Sequence, residues 1–239
     1  MSETNERRSY RPRSLQRMFQ SVSKDYDLLN HVLTFGLDHR WRKRAASSCL
    51  ENSPSAILDL CCGTGDLLLT MTEKNHGETK TIGVDFTDSM IEIAHLRTGK
   101  LCPLVIADAG QLPFAGESFD CVATAFSFRN LLYKNPGLQG YLTEVLRILK
   151  QDGRFLILET SQPRKEIIRR IYHGYLRNIV PFIGGLVSGS RGAYMYLGKS
   201  ALSFPAPQDI EELLRTAGFR EVAFHPLLLG IVGIHIAVK

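Results

Sequence analysis

The stretch Ile57-Leu58-Asp59-Leu60-Cys61-Cys62-Gly63-Thr64-Gly65-Asp66 constrains the chain most, because an apolar run holding an acid passes into a glycine turn and then a helical pattern. It reads as a strand, a tight loop and the start of a helix. Glycine reaches backbone angles closed to other residues and lets a ligand lie against the main chain, so Gly63 and Gly65 point to a nucleotide-sized ligand. A dinucleotide fingerprint needs a third glycine as the helix opens, but Leu68 stands there. Asp59 ahead of the turn suits a cation better than a pyrophosphate.

The same strand-then-acid pattern recurs along the chain. Thr81 to Val84 closes in Asp85, which can accept both hydroxyls of a ribose, while the helix-capping role of a carboxylate fits Asp88 better. Leu104 to Ala107 leads into Asp108-Ala109, where the acid can meet an adenine amino group. Cys121 to Ala125 is a fourth strand, followed by Phe126-Ser127-Phe128-Arg129-Asn130 at the carboxyl edge, where parallel sheets bind ligands. Arg129 and Asn130 are therefore site candidates, with a surface turn as the alternative. A helix from about Leu138 to Leu149 and a strand from Arg154 to Leu158 complete a fifth unit, with Glu159 at its tip. A helix over Ile210 to Ala217 is capped by Gly218, and Arg220 to Leu228 with Ile231 to Val238 reads as an antiparallel pair. The alternation predicts an α/β fold: a doubly wound, mostly parallel seven-stranded sheet with an antiparallel last strand.

Two segments stand outside this rhythm. Residues 1 to about 20 are basic and poor in apolar positions, so a flexible tail is expected ahead of a single domain over 21–239. From Met18 the pattern turns helical, and the series Tyr26 to Asn30, Thr34 to Leu37 and Trp41 forms either a cap over the site or plain packing onto the domain. Residues 164 to 205 read as a helical lid insertion, with Ile167, Ile168, Ile171, Tyr172, Tyr175 and Leu176 on one face and Lys165, Arg169, Arg170, His173 and Arg177 largely on the other. That face packs on its own protein or lies on a membrane. Gly198-Lys199-Ser200 lacks the earlier glycine and the strand-to-helix setting of a phosphate loop.

At 239 residues, 44% hydrophobic and 22% charged, the chain can bury a large core. No apolar run approaches the roughly 20 residues that cross a bilayer, so a cytoplasmic, at most membrane-peripheral, enzyme is expected. Five cysteines without paired spacing indicate neither a disulfide framework nor a metal site. A net charge of +5 fits a solvated exterior better than a nucleic-acid partner.

The D-x-x-x-G-x-G arrangement at Asp59 resembles motif I of the class I methyltransferases that use S-adenosylmethionine. Beyond it, Tyr26 to Asn30 with Phe35-Gly36, Ala107 to Phe114, Phe126 to Asn130, Leu158-Glu159 and Tyr196-Leu197 to Phe204-Pro205 resemble, in order, the UbiE/MenG (Coq5) family of quinone C-methyltransferases. The resemblance implies S-adenosylmethionine as cofactor, a prenylated quinol as substrate, demethylmenaquinol foremost and a ubiquinone-pathway benzoquinol as alternative, and leaves a homodimer open. It implies cofactor contacts by Thr64, Asp85, Asp108 and Ala109, with Ala125 at a further lining position and Asp59, Gly63 and Gly65 from the loop. Lys199, Leu202, Arg191-Gly192 and Leu228-Leu229-Gly230 depart from the family pattern, mostly in the lid. Of the catalytic candidates, Arg129 supplies charge but stays protonated, Asn130 orients a water or the quinol oxygen, and Tyr26 is a relay; none of these names the proton acceptor. An NAD-dependent oxidoreductase and a non-catalytic binding protein are the rivals from other classes. A nucleic-acid methylating enzyme would carry Asn-Pro-Pro-Tyr where Ser127 to Asn130 stands.

Overall fold

The computed structural model describes residues 13–22, 26–76, 78–188 and 191–239. Three helices come first, α1 (Arg13–Val22), α2 (Tyr26–Leu33) and α3 (Leu37–Leu50). The alternating units follow: β1 (Ala56–Leu60), α4 (Asp66–Asn75), β2 (Lys80–Asp85), α5 (Asp88–Thr98), β3 (Leu104–Ile106), β4 (Phe119–Ala125), α6 (Phe128–Leu132), α7 (Leu138–Ile148) and β5 (Leu149–Thr160). After a helical insertion, α11 (Pro207–Ala217), β6 (Glu221–Leu227) and β7 (Val232–Val238) end the chain.

The seven strands lie in the order β3-β2-β1-β4-β5-β7-β6. β1 to β5 are parallel, and β7 runs antiparallel to both neighbours, to β6 through the Gly230 turn and to β5 by insertion beside it. Successive residues of a strand face opposite sides of a sheet. Leu58 and Leu60 accordingly join a core with Val122, Phe155, Tyr141 and Leu214, while Ile57 joins Trp41, Ala45, Met71 and Leu158 on the other face. Both faces are covered, which is why the central strands read as unbroken apolar runs. The chain departs from β1 toward β2 on one side and later returns to β4 on the other. A crevice therefore opens at the carboxyl ends of β1 and β4.

Two expectations shift at element ends. Helix α1 begins at Arg13, inside the stretch expected to be a loose tail, and Gln16 Nε2 donates to Phe86 O at 3.0 Å. Thr87, not Asp88, is the N-cap of α5.

The insertion is α8 (Glu166–Gly174), a π-helical turn at Tyr175–Ile179, α9 (Val180–Ser188) and α10 (Arg191–Leu202). Tyr172, Leu176, Val180 and Tyr194 form a third core with Leu29 and Leu33 of α2, so the lid rests on the amino-terminal cap. Ile167 and Ile171 of the same apolar stripe remain exposed. Gly198-Lys199-Ser200 lies within α10, consistent with no phosphate loop.

Candidate active site

The glycine loop is shaped by its neighbours as much as by any ligand. Gly65 has φ +87, and a Cβ there would lie 3.3 Å from Ala94 Cβ of α5, so a side chain would strain the loop and crowd the helix. Gly63 N donates to Asp85 Oδ2 at 3.0 Å and Thr87 N donates to Asp85 Oδ1 at 2.9 Å, which aims the β2 carboxylate across the crevice. A small cavity lies there, lined by Cys61, Gly63, Asp85, Phe86, Thr87, Met90, Ser127 and Asn130, with Phe19 of α1 across it.

Asp59 of β1 is not part of this lining. It is wholly buried, its partners include the Leu68 amide of α4, and burial pushes its carboxyl up to about 8 against the lowering effect of that amide and of Arg42. Thr64 also turns away: its Oγ1 donates to Asp27 Oδ1 of α2 at 2.7 Å. Arg97 joins Asp27 at 2.9 Å and Asp66 at 2.5 Å, and Arg42 meets Asp66 at 3.2 Å, so the loop, α2, α3, α4 and α5 are tied by charge. Asp108 Oδ1 accepts from Gly110 N at 2.8 Å within its own turn, and Ala109 and Ala125 pack in or against the cores. Asp59, Thr64, Gly65, Asp108, Ala109 and Ala125 line neither this cavity nor the one next described.

Past β4, one short segment divides two spaces. Ser127 and Asn130 line the small cavity, while Phe126 and Arg129 line a cavity of about 430 Å³ on the far side, a volume within the usual range of small-molecule sites. Arg129 is buried and held by Glu159 of β5: its Nη1 lies 2.9 Å from Glu159 Oε1, and its backbone N–H donates to Oε2. Arg129 Nη1 also donates to Phe126 O, and Thr160 N donates to Glu159 Oε1, so the ion pair fixes the dividing segment. The larger cavity is apolar over most of its wall, with Trp41, Ile168, Tyr172, Leu176, Leu229 and Ile231 from cap, lid and the β6–β7 turn. Tyr26 opens α2, but its side chain lies outside the described residues.

Sequence reading missed Ser127, Phe86 and Cys61 as lining residues. Each directly follows or adjoins a strand tip, and that position was the signal that could have found them. It also missed Asp38 and Arg42, charged residues of α3 in the wall of the apolar cavity, although the cap series named from the sequence includes their neighbours Leu37 and Trp41.

The profile of the ubiE/COQ5 methyltransferase family matches residues 1–239. The chain belongs to this family. It is 40% identical over 222 residues to a demethylmenaquinone methyltransferase of Thermus thermophilus, covering 92% of this chain and 98% of that one. It is 41% identical over 221 residues to the Thermotoga maritima protein of the same name, covering 92% and 93%. In fold it is similar to a solved SAM-dependent methyltransferase of Thermotoga maritima, described as a possible histamine N-methyltransferase, with a TM-score of 0.60, 19% identity and coverage of 92% of this chain and 99% of that one.

A methyltransferase of this family needs a cleft for its methyl donor, and the small cavity carries several polar residues in its wall. Asp85 offers a carboxylate, and Asn130 Oδ1 is buried with no hydrogen-bond partner among the described residues. Two acceptors facing one space suit a ligand that brings hydroxyls and positive charge. Its volume of about 30 Å³ is that of about one water.

Proposed function

We propose that the enzyme transfers the methyl group of S-adenosylmethionine to a ring carbon of a prenylated quinol, with demethylmenaquinol as the acceptor and menaquinol as the product. The observation that carries this reading is the apolar cavity of about 430 Å³ that meets the donor cleft across the Phe126 to Asn130 segment. The donor supplies an already activated methyl group, so the protein's share is alignment and exclusion of water. Asp85 and the Gly63 loop hold the ribose. Asn130 orients groups at the junction, and Arg129 holds the dividing segment and presents charge to a quinol oxygen. Thr64, Asp108, Ala109 and Ala125 stand around the strand tips, and family resemblance supports their assignment to the donor. Incubation with labelled S-adenosylmethionine and a panel of reduced prenyl naphthoquinols and benzoquinols, with mass detection, tests the acceptor. A methylated benzoquinol without a methylated naphthoquinol would replace the acceptor named here.

A prenylated acceptor resides in a membrane, and the cavity mouth suits one. Phe35 is 83% exposed, Leu229 73% and Ile171 70%, and all three line the cavity. Arg169 and Arg170 stand beside Ile171 on α8. No helix among the described residues is long and apolar enough to cross a bilayer, so the contact proposed is peripheral. Vesicles with anionic lipid should retain the protein at low salt, where surface attraction is greatest. Without retention, the cavity remains a tail channel and the membrane contact is discarded.

A further inference from the structure

Left-handed backbone crowds the Cβ of any residue but glycine, and Asn and Asp bear it best, so a large apolar residue held there is an outlier. Among the described residues, the large apolar ones with a left-handed φ are Phe35, Phe126, Leu228 and Leu229, at 53, 56, 41 and 58°. All four line the apolar cavity. They come from three separate places, the turn between α2 and α3, the residue after β4, and the turn between β6 and β7, so no single local sequence pattern accounts for them. Backbone strain of this kind gathers where a ligand is clamped.

Neither turn chemistry nor the core calls for three of these side chains. Leu227 pairs with Val232, so residues 228–231 form a hairpin loop, and left-handed positions in such loops are usually met by Asn, Asp or Gly. Gly230, at φ +87, fits that rule, and Leu228 and Leu229 break it. Burial does not explain the leucines either, because Leu229 is 73% exposed and Leu228 44%. Phe35 stands likewise, exposed beside Gly36 in the α2–α3 turn. Phe126 differs: its ring lies 6.2 Å from that of Trp41, and it begins the segment that divides the two cavities. The apolar cavity thus has one wall at this divide and another at the surface.

We propose that Phe35, Leu228 and Leu229 set the preference for a tailed over a tailless acceptor, by closing on the prenyl chain where it leaves the cavity. The inference deepens the methyl-transfer reading above and takes the ring's position from it. With the ring at the Phe126 to Asn130 divide, a chain attached to it leads away toward the exposed end of the wall. The left-handed turns present the three side chains at the cavity, and their water-exposed area is removed only when an apolar chain lies on them. A tailless ring leaves them uncovered and gains nothing from them. Ile171 of the lid is exposed in the same wall, but it stands on regular helix and adds apolar area without a left-handed turn.

The test uses the full-length enzyme and a naphthoquinone ring, once without a tail and once with a tail of several prenyl units. Trp41, the single tryptophan of the chain, lines the same cavity, so its quenching by the ring reads binding without turnover. Wild type should bind the tailed ring about tenfold or more tightly than the tailless one. Leu229→Asn and Phe35→Asn suit left-handed backbone but take away apolar area. Each should weaken the tailed ring by about tenfold, the worth of covering one large apolar side chain, and leave the tailless ring within about twofold. Thermal midpoints should hold, and Leu229→Met should keep the wild-type preference. Equal affinity of wild type for the two rings overturns the proposal whether or not the variants fold. An equal loss for both rings makes these residues scaffold and overturns it too. So do variants that keep the tail preference and lose only retention on anionic vesicles, which would give the residues to a membrane surface. Tail-dependent binding by an enzyme that methylates no quinol supports the role and refutes only the methyl-transfer reading.

Discussion

Asp59 and Arg129 show what burial does to single charged residues. Asp59 carries a carboxyl raised to about 8 by desolvation, so between the ordinary carboxylate pKa and that value the folded chain keeps a proton that the unfolded chain has lost. Stability contributed by this group is full in acid and falls as pH rises from about 4 to about 8, by roughly 1 kcal/mol per unit. Asp59→Asn should therefore gain on wild type across that window and level off above it, as thermal or urea unfolding at several pH values will read; a constant difference would mean that Asp59 is ionised throughout. Arg129 stands in the opposite condition, paired with Glu159 inside the protein. Glu159→Ala should cost about 3–5 kcal/mol, because it leaves the guanidinium buried without its carboxylate. Arg129→Lys keeps the charge but loses the planar fork, so turnover should slow while donor affinity holds. A fall in stability and donor binding with unchanged turnover per folded site would make Arg129 scaffold only. The sequence placed Arg129 at the correct edge, and Glu159 at another strand tip, but their contact spans 30 positions and carries no local signal.

At the level of elements, α1 and the lid close the two spaces from opposite sides. Phe19 lines the small cavity and Gln16 bonds to Phe86 O, so α1 covers the proposed donor site. Phe19→Ala removes part of an apolar cover and should weaken donor binding by about 1 kcal/mol, mainly through faster release, which calorimetry with stopped-flow dissociation will show. Unchanged release would place α1 outside the donor gate. On the other side, Tyr175 lies in a π-helical turn and its hydroxyl fastens the lid to Leu33 O of α2. Tyr175→Phe loses a bond of about 1 kcal/mol and should raise KM for the prenylated acceptor several-fold without altering donor affinity. Equal effects on both substrates would count against separate closures. Helical spacing revealed the lid's stripe, yet it did not divide Tyr172 and Leu176, which are buried, from Ile167 and Ile171, which are exposed.

The whole molecule places a small cavity beside Asp85 and a large apolar one on the two sides of the Phe126 to Asn130 segment, the proposed places of donor and acceptor. Acceptors with longer tails should therefore gain in kcat/KM until the cavity is filled, at up to about 0.8 kcal/mol per buried methylene, whereas an unprenylated ring should be poor. A tail-independent series would remove the cavity from substrate binding. The sequence by itself determined the sheet, its order of acid-tipped strands, the glycine loop and the family, because strand and helix periods and turn chemistry are local and repeat within a few residues. Tertiary structure alone decided that Asp59 is wholly buried against the Leu68 amide, that Thr64 turns to Asp27, that Phe126 and Arg129 line one cavity while Ser127 and Asn130 line the other, and that Asp38 joins the wall of the apolar one. Those contacts join side chains distant in the chain, and which face of a residue meets another is fixed only when the helices and the sheet pack together.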